Sequence, residues 1–295
     1  MNIGYLTKKR DACYGIRILT PVSRLNERGH QCIDEVMEKQ AFCKSCAEKG
    51  SYYGPYEVHL NQESSVSCPV CKSEILSKQE IDEWKAGVER VIESSDIVNF
   101  QRPTDLSQLQ LMKRVKALGK KVTQVADDDY FNVEPWNPGF RYYTQRRDII
   151  KETFRICDAV DVTTPALKVL YSEYCKKVEI LPNSLDLELI EATPPLHDAK
   201  VYMPDKRNKA RDGTPQSIAV PFSEFKEIQK SKKLILWGGS PTHEKDLEIC
   251  VSAIRRISRA RPDVMFAFVG YVHHAIIDAV PQGQLFLFSL VPNSV

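Results

Sequence analysis

The sequence predicts an α/β protein with mostly parallel sheet, spread over two domains, with a small cysteine-bearing insertion in the first. Three observations predict it. Short apolar runs, such as those at 121–126 and 265–270, alternate with longer stretches of helical periodicity. Strands alternating with helices build a parallel sheet through right-handed crossovers. Thr20-Pro21, Thr164-Pro165 and Ser240-Pro241 each set a capping hydroxyl before a proline whose absent N–H costs nothing in a first turn. Finally, Cys43–Cys46 and Cys68–Cys71 form two Cys-x-x-Cys pairs inside one stretch where the alternation lapses.

Size and composition narrow the classes. A chain of 295 residues has room for about two domains, and 42% hydrophobic with 27% charged residues is ordinary for a globular protein. A formal net charge of +2 argues against bulk charge as the means of binding nucleic acid or membrane. The longest apolar runs, such as 264–269, are too short to span a bilayer, and no signal-peptide core opens the sequence. Nine cysteines, four of them in the two pairs, fit a reducing compartment, so a cytoplasmic location is expected.

Taken in order, 3–6 is a first strand, followed by a turn holding Tyr14 to Arg17 and by a helix that Gly29 stops. Arg17 lies near the mouth such a turn forms, as an anion ligand or as a surface arginine. The insertion, 41–77, carries the two cysteine pairs 21 residues apart. Four thiolates satisfy zinc tetrahedrally, so Cys43, Cys46, Cys68 and Cys71 are read as a structural zinc site with no open, catalytic position. The alternative is four unpaired buried cysteines, which leaves the spacing unexplained. Residues 41–80 hold four lysines against five glutamates, so the insertion shows no basic face for nucleic acid and reads as a scaffold or docking module.

Helix is then expected over 81–92, 105–118 and 142–156, and strand over 96–100, 121–126, 159–163 and 178–181. Open parallel sheets bind ligands beyond the carboxyl ends of their strands. That rule places Arg102, Asp127, Asp128, Asp129 and Asn183 on one rim. Crowded carboxylates suit a cation, hydrogen bonds to sugar hydroxyls, or only a solvated helix-capping turn.

Residues 191–231 show little periodicity and read as a linker before a second domain at 232–295. There an apolar run, 234–237, ends at Gly238-Gly239 and meets Ser240-Pro241 at once. The helix that follows has an apolar face at Leu247, Cys250, Val251, Ile254 and Ile257. A strand, a glycine turn and a helix N-terminus form an anion site, because backbone N–H groups and the helix dipole converge there; a tight turn without ligand is the plain alternative. His273-His274 reads as polar turn surface.

The stretches Arg102-Pro103, 119–122 with Asp127 to Asp129, 157–165 (CDAVDVTTP), 178–186 (VEILPNSLD) and 237–246 (WGGSPTHEKD) together resemble the GT-B glycosyltransferases. The likeness is greatest to the retaining group of glycogen-synthase-like and lipopolysaccharide transferases, whose opening Tyr14 to Arg17 with Pro21 and Leu25 also resembles. The resemblance implies two Rossmann-like domains, 1–190 on the acceptor side and 232–295 for a nucleotide diphosphate sugar. It implies hexose transfer with retention and no catalytic divalent cation. Gly238, Gly239, Ser240 and Thr242 would cradle the diphosphate; His243 and Lys245 would offset its charge, with Asp128 the third catalytic candidate. Arg17, Arg102, Asp127, Asp129 and Asn183 would line the acceptor side. The resemblance also implies further strands and a paired-glutamate motif, which this sequence does not reach. A truncated second domain, completed by a partner or second copy on an exposed apolar sheet edge, or one without catalysis, is therefore expected.

Overall fold

In the computed structural model, residues 1–7, 18, 20–41, 43–48, 56–60, 62–183, 200–209 and 215–288 are described. The chain divides into two units, Met1–Ile190 and Glu191–Val295.

The first unit opens with β1 (Asn2–Thr7), α1 (Thr20–Glu27) and β2 (Gln31–Val36). The insertion supplies β3 (Lys39–Ala41), α2 (Lys44–Glu48), β4 (Tyr56–Val58), β5 (Val66–Ser67) and β6 (Glu74–Leu76). The alternation then resumes with α3 (Lys78–Ser94), β7 (Ile97–Gln101), α4 (Leu106–Ala117), β8 (Lys121–Ala126), α5 (Phe140–Ile156), β9 (Ala159–Val162), α6 (Pro165–Tyr171) and β10 (Val178–Ile180). Six strands make one sheet in the order β10-β9-β8-β7-β1-β2, and every pair is parallel.

Local chemistry sets these boundaries. Ser77 accepts the Glu80 amide while the Glu80 carboxylate accepts the Ser77 amide, a reciprocal cap that starts α3. Asp105 and Gln108 open α4 in the same way. Along α3, Ile81, Trp84, Val88, Val91 and Ile92 recur at helical spacing and are buried. They join Leu6, Val98, Phe100, Val122, Val160 and Val162 from one face of the sheet in the main core. Each large apolar side chain enclosed there contributes about 1.5–3 kcal/mol. The opposite face packs Ile3 and Tyr5 against Ile18, Val22 and Cys32.

The second unit contains β11 (Val201–Lys209), β12 (Pro215–Val220), α7 (Phe222–Lys230), β13 (Lys233–Gly239), a 3-10 turn (Pro241–His243), α8 (Glu244–Ala260), β14 (Val264–Gly270), α9 (His274–Ala279) and β15 (Leu285–Phe288). Its sheet runs β12-β11-β15-β14-β13, with β13, β14 and β15 parallel, β11 antiparallel to β15 and β12 antiparallel to β11. Leu247 with Val251, Ile254 and Ile257 of α8 covers one face over Val264, Phe266 and Phe268. Phe222, Phe225 and Ile228 of α7 cover the other over Met265 and Phe286. Cys250, expected on the buried face of α8, is exposed.

One expectation needs correction. The described part of the expected linker is folded: residues 201–230 give a hairpin and a helix of the second sheet. Their two-residue apolar period is short, Val201 and Met203 against Ile218 and Val220, and the charges that follow obscure it. The third parallel strand, β15, is paired on its far side by β11, with Val201 opposite Phe288 and Tyr202 opposite Leu287. Among the described residues the sheet ends on β12 and β13, and both edge strands show exposed apolar residues: Ile218 at 41% on β12, Ile235 and Leu236 at 41% and 63% on β13. No described helix is long and apolar enough to cross a membrane.

Candidate functional site

The four cysteines of the insertion come together. Cys43 sits just ahead of α2, which carries Cys46; Cys68 and Cys71 occupy the turn of the β5–β6 hairpin. All four sulfurs lie within 4.8 Å of one another, with Cys43–Cys71 at 3.4 Å and Cys46–Cys68 at 3.6 Å. Zinc–sulfur bonds of about 2.3 Å set tetrahedral sulfurs about 3.8 Å apart, so the spacing fits. The knuckle is built for thiolate. Cys68 donates its amide to Ser73 O at 2.8 Å and Lys72 its amide to Cys68 O at 2.9 Å, while Lys72 takes a left-handed φ of 62°. That closure directs the Cys71 amide at the Cys68 sulfur and, with the Tyr56 hydroxyl and the Val70 amide, draws the Cys68 thiol down to about 6. Burial, with sulfur neighbours, pushes Cys46 up to about 12. An all-sulfur donor set with hydrogen-bonded thiolates is the chemistry zinc selects. Among the described residues no other cluster of metal-ligating side chains occurs.

The second group lies at the carboxyl ends of β7 and β8. Burial and the charges of Asp127 and Asp128 raise the Tyr130 phenol well above its ordinary value, and the Arg102 guanidinium acts the other way. Tyr130 itself donates to Asp127 at 3.4 Å. Asp129 is differently engaged: its carboxylate accepts the amides of Phe131 at 2.9 Å and Asn132 at 3.0 Å and the Asn132 side chain at 2.8 Å, closing the turn. The Tyr171 hydroxyl accepts the Tyr130 amide at 3.2 Å and donates to Asp128 O at 2.5 Å, tying this loop to the core. Asn183 is exposed just past β10. Arg17 lies outside the described residues.

Gln101, Tyr130 and Tyr171 escaped sequence reasoning. Gln101 is 1% exposed, and neither end of its side-chain amide has a hydrogen-bond partner among the described residues. A buried polar group left so costs roughly 1–3 kcal/mol. The signal available was two amides, Asn99 and Gln101, alternating with the apolar residues of one strand.

In the second unit, Gly238 and Gly239 end β13, and register sets Gly239 opposite Gly270 of β14. A Cβ at Gly239 would meet the Trp237 ring at 2.6 Å, so the packed indole itself demands glycine there. The Ser240 hydroxyl lies 2.6 Å from that of Thr242 and accepts the Thr242 amide at 3.4 Å. The His243 amide donates to Ser240 O at 3.1 Å and the Glu244 amide to Pro241 O. The 3-10 turn therefore uses amides that the sequence reading assigned to an anion; the exposed hydroxyls of Ser240 and Thr242 are the donors that can turn outward. Lys245 pairs with Glu248 at 2.6 Å, an interaction that raises the lysine and lowers the glutamate, and His243 pairs with Asp246 at 2.8 Å.

Of the histidine pair, His274 is exposed as expected, but His273 is not. His273 is 6% exposed, accepts the Ala275 amide through Nδ1 at 3.2 Å, and holds Nε2 4.0 Å from Glu244, which accepts the Tyr271 hydroxyl at 3.1 Å. Gly270, with φ of 91°, was the overlooked marker of this second strand end.

The architecture is α/β with parallel sheets, consistent with the Rossmann-like domains of GT-B proteins. No protein-family model matches the chain, and no curated protein does. Among solved structures it is similar to HepE of Anabaena in complex with UDP-glucose, at a TM-score of 0.52 and 10% identity, covering 99% of this chain and 69% of that one. The UDP complex of HepE gives 0.50 and 10%, covering 100% and 70%. The MnaA–UDP co-structure from S. aureus gives 0.47 and 14%, covering 98% and 68%. At such identities the likeness shows the fold alone.

Proposed function

We propose that the chain is a glycosyltransferase that takes a nucleotide diphosphate sugar on its second unit and passes the hexose, with retained configuration, to an acceptor held by its first. The observation that carries this reading is the strand end at Gly238-Gly239. There two glycine-bearing strand termini meet two exposed hydroxyls and a helix start. The fold shared with a protein solved with UDP-glucose supports the same donor class.

In this reading Ser240 and Thr242 turn their hydroxyls to the diphosphate, while His243 and Lys245 meet the charge that develops as the sugar leaves. Arg102, Asp127 and Asp128 orient the acceptor around Tyr130, and Asn183 joins them; Asp128, the exposed carboxylate of the rim, is the candidate to act in catalysis. The four thiolates hold zinc structurally, and it takes no part in the reaction.

Calorimetry with UDP and a panel of UDP-sugars, followed by assay of UDP release, tests the proposal. Saturable binding of UDP and turnover of at least one sugar donor are expected; a chain that binds no nucleotide diphosphate is not this enzyme. Lys245→Ala should lower turnover about 100-fold or more, the usual scale for losing one charge-stabilising group. Glu248→Gln, which frees Lys245 from its partner, should tighten UDP binding a few-fold. Unchanged rates in Lys245→Ala would remove that lysine from the site.

A second reading draws on the acidic residues at the start of α8. Glu244, Asp246 and Glu248 already engage the local donors and oppose an anion. A non-catalytic assembly protein docking through the cysteine module has the same fold and no donor binding. The UDP titration separates the two.

A further inference from the structure

Asn99 and Gln101 stand two residues apart on β7, so strand alternation sets both on the sheet face opposite Val98 and Phe100. Val98 and Phe100 pack in the main core. Asn99, 6% exposed, donates through Nδ2 to Thr123 Oγ1 at 2.8 Å, but its Oδ1 has no partner among the described residues, as neither end of the Gln101 amide has. Three enclosed amide atoms thus go unsatisfied on one five-residue strand. β7 lies inside the sheet, between β1 and β8, where an apolar side chain would pack without that penalty. Buried polar atoms that work against the fold mark a role outside folding.

Position indicates the role. Gln101 is the last residue of β7, at the carboxyl end where open parallel sheets take their ligands. The next residue, Arg102, holds φ at 50°, a left-handed conformation rare for a long side chain and concentrated at binding sites. On the same rim, Arg102, Asp127 and Asp128 act on Tyr130.

We propose that Gln101 determines acceptor specificity, its buried amide binding a vicinal hydroxyl pair on a neutral carbohydrate. A primary amide presents one donor and one acceptor side by side. Two adjacent sugar hydroxyls return an acceptor and a donor at matching separation without net charge. A phosphate brings net negative charge and its anionic oxygens into an enclosed site beside Oε1, so anionic head groups are selected against. The amide is enclosed while unliganded, and its unmet hydrogen bonds raise that closed state relative to the liganded one.

This inference rests on the transferase reading for the word acceptor, and the experiment keeps the two apart. The full chain is titrated separately with UDP, with the methyl glycosides of glucose, mannose and galactose, and with inorganic phosphate, binding being followed by NMR. At least one glycoside should bind saturably and phosphate should not compete with it. Gln101→Met should weaken the glycoside about 10-fold or more, because a site built around a hydroxyl rejects a poor match strongly. It should leave UDP binding unchanged and melt at the same or a higher temperature, since methionine removes the unmet amide. Should Gln101→Met fail to fold, deoxy analogues of the bound glycoside read the same contact: removing either hydroxyl of the pair should lower affinity similarly. The proposal is overturned if wild type binds no glycoside, if Gln101→Met binds it as wild type does, if phosphate competes for the site, or if the variant melts lower, which would mark an amide satisfied by internal water. UDP binding without glycoside binding sinks this inference alone. Gln101-dependent glycoside binding without UDP binding leaves a carbohydrate site and sinks the transferase.

Discussion

Replacing Cys68 with serine is expected to release the metal and to open the insertion between Lys39 and Leu76, while the six-stranded sheet persists. Cys43, Cys46 and Cys68 form a buried cluster of their own with half-buried Tyr56 and Ile75, while Ala41, Val58 and Leu76 of the same segment join the main core. Its β3–β4 and β5–β6 pairs are two or three residues long. So small a core cannot hold its fold alone, and a structural zinc supplies roughly 10–16 kcal/mol of binding energy to such modules. Burial holds the proton on Cys46 in the metal-free cluster, so metal uptake must release it and should weaken as the pH falls. Elemental analysis should find one zinc per wild-type chain and almost none in Cys68→Ser, with new protease cuts confined to the insertion. Cys250→Ser, an exposed thiol on α8, should keep the metal. Wild-type protein purified without chelators yet free of zinc would dispose of the four-thiolate centre.

What the sequence disclosed depended on how local each signal was. The alternation of β7, α4, β8, α5, β9, α6 and β10 was readable because each element carries its own period and its own cap, such as Thr164 accepting the Leu167 amide ahead of α6. The cysteine pairs were readable because a ligand set is fixed by spacing. The β11–β12 hairpin was not, since its pairing with β15 joins residues more than 80 positions apart and its apolar faces are only two residues deep. The same limit applies to the candidate sites. Three aspartates in a row look alike on paper, yet Asp129 closes a turn, Asp127 accepts the Tyr130 hydroxyl and Asp128 is exposed, a division made by the backbone after β8. The strand–glycine–helix turn was legible as a shape. Its internal use of the Thr242, His243 and Glu244 amides was not, because a 3-10 turn and an α-helix share the same cap residues.

Phe154→Ala is expected to destabilise the first unit by about 3–5 kcal/mol, the range for emptying an aromatic site in a packed core. Phe154 is fully buried and stacks on Tyr171 with ring centroids 4.1 Å apart, and Phe131 meets both rings edge-on. Tyr171→Phe removes one atom from the same cluster and separates packing from tethering. The rings remain, so the transfer of apolar area is unchanged. The Tyr130 amide and the Asp128 carbonyl, however, lose the hydroxyl that served both, a loss of about 1–3 kcal/mol for the buried Tyr130 amide left unmet. Chemical denaturation should place the two variants in that order. Hydrogen exchange should distinguish their mechanisms: Phe154→Ala should raise exchange across the first sheet, whereas Tyr171→Phe should free the Tyr130 amide well ahead of β7 and β8. If Tyr171→Phe keeps the Tyr130 amide as protected as in wild type, the aspartate loop is held by its own turn through Asp129. In that case the arrangement of Asp127 and Asp128 beside Arg102 owes nothing to the aromatic core beneath it.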